Sequence, residues 1–130
     1  MIVVDNSVLV SLFTDKGPLG QACADRLDRQ QLFAPALVDV EALNAVKGLL
    51  RGGKISEDLA DEVVRGLPFF PMKRVPHEGL VPRIWELRHN FSPYDATYVA
   101  LAEQLDAVLV TGDERLQRAT GKKCVVEVIR

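Results

Sequence analysis

Ile2-Val3-Val4-Asp5 opens the chain, and Val108-Leu109-Val110-Thr111-Gly112-Asp113 repeats its logic near the other end. In each, a short run of apolar residues leads into a turn that carries an aspartate. No polar residue alternates with the apolar ones, so neither run has a solvent face. That pattern reads as a strand buried on both sides, as in parallel sheets covered by helices. In open α/β sheets, ligands bind outside the carboxyl ends of the strands. Asp5 and Asp113 are therefore candidate site residues by position, although an aspartate after a strand also serves as a turn or helix-cap residue.

Between these two runs, strand and helix signals alternate. Ser7 to Phe13 reads as a short helix, and Asp15-Lys16-Gly17-Pro18 as a turn whose proline opens a helix reaching about Gln30. Leu19, Cys23 and Leu27 share a face of that helix. Leu32-Phe33-Ala34 is a second short strand. Pro35 opens a helix to about Arg51, with Leu37, Val40, Leu43, Val46 and Leu50 as its apolar stripe, and Gly52-Gly53 stops it. A helix over Ser56 to Arg65 ends at Gly66 and Pro68. Phe69 to Val75 reads as a strand interrupted by Pro71. His77 to Asn90 is helical in pattern, with Pro82 either starting a later helix or kinking a longer one. Pro93 to Leu105 is the clearest helix, Glu114-Arg115 turn into a short one, and Val125 to Ile129 forms the last strand. Alternation of this kind implies one α/β domain, residues 1–130, with a central, mainly parallel sheet flanked by helices.

Composition narrows the classes. With 48% hydrophobic and 26% charged residues, the chain can bury a core and is not a disordered segment. The N-terminus has no basic stretch followed by a long apolar one, and no apolar run approaches the roughly 20 residues that span a membrane. A cytoplasmic location is the expectation. The net charge of −2 means that a nucleic-acid ligand would need local basic patches or bound cations to offset it. Cys23 and Cys124 read as small hydrophobes, not as a metal pair. His77 and His89 read as surface residues, and Trp85 as core or dimer interface.

Two more acids complete a constellation. Glu41 lies four residues after Leu37, on the inward half of its helix, where an unpaired carboxylate is expensive to bury. Asp95 follows Ser92-Pro93-Tyr94 in a capping-box-like helix start, and complementing the helix dipole would explain it equally well. If Asp5 and Asp113 end neighbouring strands and both helices lean over that edge, the four carboxylates converge. Two like charges ~4 Å apart repel by about 4 kcal/mol at an effective dielectric of about 20. Such a cluster needs protons or a divalent cation. All-oxygen ligation selects a hard ion, Mg²⁺ or Mn²⁺, and phosphodiester hydrolysis is the chemistry suited to it.

Ile2-Val3-Val4-Asp5-Asn6-Ser7, Glu41 in an apolar helix, Ser92-Pro93-Tyr94-Asp95-Ala96 and Leu109-Val110-Thr111-Gly112-Asp113 occur in the order seen in PIN domains. Over essentially its whole length, the sequence resembles a VapC-type toxin of a toxin–antitoxin module. The resemblance implies a PIN-like α/β/α sandwich and a Mg²⁺- or Mn²⁺-dependent ribonuclease. It also implies a homodimer and a cognate antitoxin whose segment enters the cleft. Carried over by motif, Asp5, Glu41, Asp95 and Asp113 are the catalytic, metal-holding acids, with Ser7 and Thr111 as hydroxyls beside them. Ser7 could equally cap its helix, and Thr111 support its turn. Lys47 and Arg51, one turn apart, are candidates for RNA phosphate contacts or simply a solvated helix face. Gly79 and Pro82 depart from the uninterrupted helix common among relatives.

Other readings fit less well. A receiver-like phosphoacceptor wants paired acids after the first strand and a lysine after the last, whereas Asp5 is followed by Asn6 and the chain ends at Arg130. A haloacid-dehalogenase-type phosphatase wants Asp-x-Asp, which Asp5-Asn6-Ser7 lacks. A non-catalytic RNA-binding or scaffolding PIN domain is the alternative, and retention of all four acids argues against it.

Overall fold

The two aspartate-ended runs lie side by side and parallel in the computed structural model, which describes residues 1–130. In chain order the elements are β1 (Ile2–Val4), α1 (Asn6–Thr14), α2 (Pro18–Leu27), β2 (Leu32–Pro35), α3 (Val38–Arg51) and α4 (Glu57–Gly66). Then follow β3 (Lys73–Val75), α5 (Val81–Glu86), α6 (Pro93–Leu105), β4 (Val108–Thr111), α7 (Glu114–Arg118) and β5 (Val126–Val128). Single 3₁₀ turns at Leu67–Phe69 and Glu78–Leu80 precede β3 and α5.

The sheet has five strands in the order β3-β2-β1-β4-β5, and every pairing is parallel. The chain runs outward from β1 to β3, then returns to the other side of β1 as β4. The direction of winding therefore reverses between β1 and β4, which is where open α/β sheets form their binding crevice. The pair is in register, Ile2 with Val108 and Val4 with Val110, so Asp5 and Thr111 leave the sheet together. Asp5 N–H donates to Val110 carbonyl at 2.9 Å and fixes that exit.

The core explains the uniform runs. Val3, Val4, Leu109 and Val110 are fully buried, and α6 crosses β1, β2 and β4 with Ala96 through Ala102 buried without a break. A helix apolar all round belongs inside. Its start is built as its sequence reads: Ser92 Oγ accepts from Asp95 N–H at 3.1 Å, and Pro93 occupies the first turn. Ser56 caps α4 in the same way. No helix is long and apolar enough to cross a membrane.

Several boundaries differ from the sequence reading. Pro35 does not open α3 but ends β2, opposite Val75, and Ala36 N–H continues that pairing at 2.8 Å. Pairing of β2 with β1 has already stopped at Phe33, so a missing amide hydrogen costs little at Pro35. The helix begins instead at Val38, and its buried face is Val38, Ala42 and Val46. Val40, Leu43 and Leu50 of the expected stripe are exposed, Val40 by 69%. Ala42 and Val46 pack with Val10 of α1 and with Ala60 and Val63 of α4, so the face that carries Val40, Leu43 and Leu50 turns outward. The helix α2 stops at Leu27, where Arg29 turns left-handed at φ 59°. The strand expected over Phe69 to Val75 shrinks to β3, after Pro71. The 77–90 stretch breaks into a 3₁₀ turn and α5, with Pro82 in the first turn of the later helix. Trp85 is 65% exposed and packs under the Arg88 guanidinium at 4.5 Å, so it is not core. His77 and His89 are at the surface, Cys23 is buried, and Cys124 is half-buried; both thiols are free.

Candidate active site

Asp5 anchors the crevice. It is 5% exposed, yet three side chains satisfy it: Ser7 Oγ and Thr111 Oγ1 each donate to Oδ2 at 2.7 Å, and Asn6 Nδ2 donates to Oδ1 at 3.1 Å. Each hydroxyl is itself held by a backbone amide of the turn after β4. Gly112 N–H donates to Ser7 Oγ, and Asp113 N–H to Thr111 Oγ1, both at 3.0 Å. Two short relays thus run from the turn after β4 to the carboxylate after β1. They explain why a serine three residues past one strand and a threonine at the end of the other belong together. Ser7 caps no helix amide here; its hydroxyl serves Asp5 and Gly112.

Glu41 reaches the same crevice from the first turn of α3. Its carboxyl is pushed above the ordinary range, first by burial and then by the charges of Asp5 and Asp95. Oε1 is buried and has no hydrogen-bond partner. Tyr98 Oη is orphaned in the same way. The phenol lies near enough to favour the ionised carboxylate through their mutual approach, but the two atoms do not reach hydrogen-bond geometry.

Asp95 comes from the first turn of α6. Its backbone amide takes the Ser92 cap, while its carboxyl is raised by burial and by the charges of Asp5 and Asp113. The two readings of Asp95 therefore apply to different atoms of the same residue. Asp113 departs from the other acids. It caps α7 through Oδ1, which accepts from Arg115 N–H at 2.9 Å. Its carboxylate also grips the Arg115 side chain, Nη2 to Oδ2 at 2.7 Å and Nε to Oδ1 at 3.1 Å. That guanidinium holds the Asp113 carboxyl below the usual carboxylate range.

The four acids thus form a linked series at the carboxyl end of the sheet, Glu41 feeling the charges of Asp5 and Asp95, and Asp95 those of Asp5 and Asp113. No three His, Cys, Asp or Glu side chains close to ligating distance around a common point. Like-charge repulsion and the Asp113–Arg115 pair both oppose such closure. These four are nonetheless the side chains that could hold a cation here, with oxygen donors only. Beside them, a cavity of about 590 Å³ is lined by Asn6, Val40, Glu41, Asn44, Ala45 and Tyr94. Lys47 and Arg51 are exposed on α3 and do not line it. Sequence reading missed Arg115 and Tyr98. Arg115 is signalled only by standing two residues after Asp113, and Tyr98 by standing one turn after Asp95 in an apolar helix.

Residues 2–122 match the family model described as PIN domain. Ribonuclease VapC1 of Mycobacterium tuberculosis is 37% identical over 129 residues, covering 98% of this chain and 97% of its own. Ribonuclease VapC9 of the same organism is 35% identical, covering 99% and 98%. Among solved structures, VapBC2 from Rickettsia felis, bound to a DNA fragment from its promoter, superposes with a TM-score of 0.71 at 13% identity, over 98% of both chains. FitAcB from Neisseria gonorrhoeae gives 0.69 at 16% identity, over 97% and 96%. On the strength of the family match and of relatives aligned from end to end, this chain belongs to the PIN-domain family, in its VapC branch.

Proposed function

We propose that this protein is a Mg²⁺- or Mn²⁺-dependent endoribonuclease toxin that hydrolyses RNA phosphodiester bonds at Asp5, Glu41, Asp95 and Asp113. The observation that carries the proposal is Glu41. A carboxylate oxygen that is buried, unpartnered and surrounded by other acids lacks a counter-charge, and a hard cation is the counter-charge its chemistry fits. The naming of the aligned relatives as ribonucleases supports RNA as the substrate.

Each residue then has a distinct task. Asp5, buried and held by three donors, is fixed before any ligand arrives. Ser7 and Thr111 orient it through Oδ2. Glu41 and Asp95, from two different helices, bring charge that the apolar surroundings disfavour; they gain most from a cation. When bound, Mg²⁺ or Mn²⁺ supplies Lewis acidity toward the attacking water and toward the scissile phosphate. Tyr98, fully buried, is the neighbour of Glu41 on α6.

The partners follow from the same charge. An antitoxin that inhibits this site needs a segment carrying basic residues, because the crevice is anionic. A homodimer is supported by Val40, Leu43 and Leu50, which leave an apolar strip exposed along α3. Purified protein is expected to cut single-stranded RNA with Mn²⁺ or Mg²⁺, to lose the activity in EDTA, and to leave a 5′-phosphate on the downstream product. Cleavage that persists in EDTA, or a 2′,3′-cyclic phosphate product, contradicts the proposal.

A further inference from the structure

Arg115 is the one cation bonded to the acidic cluster. Its side chain is 80% exposed, yet its guanidinium is committed to Asp113 through three contacts between 2.7 and 3.2 Å. Its charge also reaches Asp95. The same side chain borders a second cavity, about 310 Å³, lined in part by Asn90, Ser92, Asp95 and Leu116. Arg115 therefore stands between a carboxylate of the site and an open space large enough for part of a nucleotide. Arg118, on the same helix, acts on Asp113 only through space.

An arginine fork matches carboxylate and phosphate equally well, since both offer two oxygens in a plane. A cation at Asp113 and the guanidinium compete for the same oxygens. We infer that Arg115 is a displaceable counter-ion: it holds Asp113 while no divalent cation is bound, and once released it turns to the neighbouring cavity to bind a phosphate of the RNA. This rests on the metal-dependent ribonuclease reading above, and deepens it by assigning a substrate-binding residue that the acidic constellation lacks. It also gives an acidic protein one positive charge placed where an anionic substrate must approach.

The test begins with Mn²⁺ alone, titrated calorimetrically into wild type, Arg115→Met, Arg115→Lys and Arg118→Met. Arg115→Met is expected to bind Mn²⁺ about two- to fivefold more tightly, the range an exposed ion pair carries. Arg115→Lys, which keeps the charge but loses the fork, should fall between it and wild type. Arg118→Met should gain less than Arg115→Met, because it removes charge without freeing Asp113. A Mn²⁺ affinity that is unchanged or weaker in Arg115→Met overturns the inference, and so does an equal gain in Arg118→Met. If wild type itself binds no Mn²⁺, the metal-dependent reading fails as well, which separates the two failures.

The second arm is kinetic. At saturating Mn²⁺, kcat/KM of Arg115→Met on single-stranded RNA should fall about tenfold or more, the loss of a charge-assisted hydrogen bond to phosphate. A variant that binds Mn²⁺ more tightly and cuts RNA as well as wild type overturns the phosphate assignment.

Discussion

Thr111 is fully buried, and its hydroxyl joins Asp113 N–H to the Asp5 carboxylate. Thr111→Val keeps the shape and deletes both bonds. A buried carboxylate that loses a donor, together with an amide that loses an acceptor, should cost about 1–3 kcal/mol of stability, read from a urea unfolding midpoint. An unchanged midpoint would show that the relay does not support Asp5. The acids also set a pH dependence with opposing signs. Glu41 and Asp95 titrate above their ordinary values when folded, so the folded protein holds those protons more tightly than the unfolded chain. Their contribution is present below about pH 4 and is lost as pH rises through the folded values. Asp113 is lowered by Arg115, so its contribution is present above about pH 4 and fades as pH falls. Glu41→Gln in EDTA should therefore lose less stability than wild type as pH rises above about 4. An identical pH profile of thermal unfolding for the two proteins would place Glu41 in water, away from the other acids.

At the scale of elements, what could be read in advance was whatever left a local signature. The β1 and β4 runs lack any polar alternation, and Ser92-Pro93 marks the start of α6 by its own chemistry. The start of α3 carried no such mark. Pro35 suits a first helical position and a strand end alike, and only the pairing with Val75 in β3 decides between them. The apolar stripe of α3 misled because burial there is set by which face meets α1 and α4, a tertiary fact. Asp5, Glu41, Asp95 and Asp113 were legible as a set, since each sits at an element terminus or on an inward turn. Arg115 was not, since a charged residue in a short exposed helix looks like solvent surface. The misread stripe yields its own prediction. Val40, Leu43 and Leu50 remain uncovered on the protein, and a second copy of the chain is the expected cover. Light scattering at micromolar concentration should give a dimer for wild type and a folded monomer for Val40→Asp with Leu43→Asp. A wild-type monomer would contradict this, and so would a double variant that stays dimeric.

Over the whole molecule, the winding of the sheet gathers residues far apart in sequence. Reversal between β1 and β4 opens the crevice, α3 and α6 each bring one acid to its rim, and the turn after β4 brings the last. The central claim is that these acids act together on a cation, and Asp95 is where a purely local role is the strongest rival. The direct measurement is thermal unfolding of wild type and Asp95→Asn, each in EDTA and in Mn²⁺. In EDTA, the variant should match or exceed wild type, because relieving one repulsive pair outweighs a dipole contribution of about 0.3–1 kcal/mol. Mn²⁺ at about a hundredfold excess over Kd should stabilise wild type by about 2.7 kcal/mol and the variant by much less. A variant that is destabilised in EDTA yet gains as much from Mn²⁺ as wild type would make Asp95 a helix-start residue only, and the four-carboxylate site would be wrong.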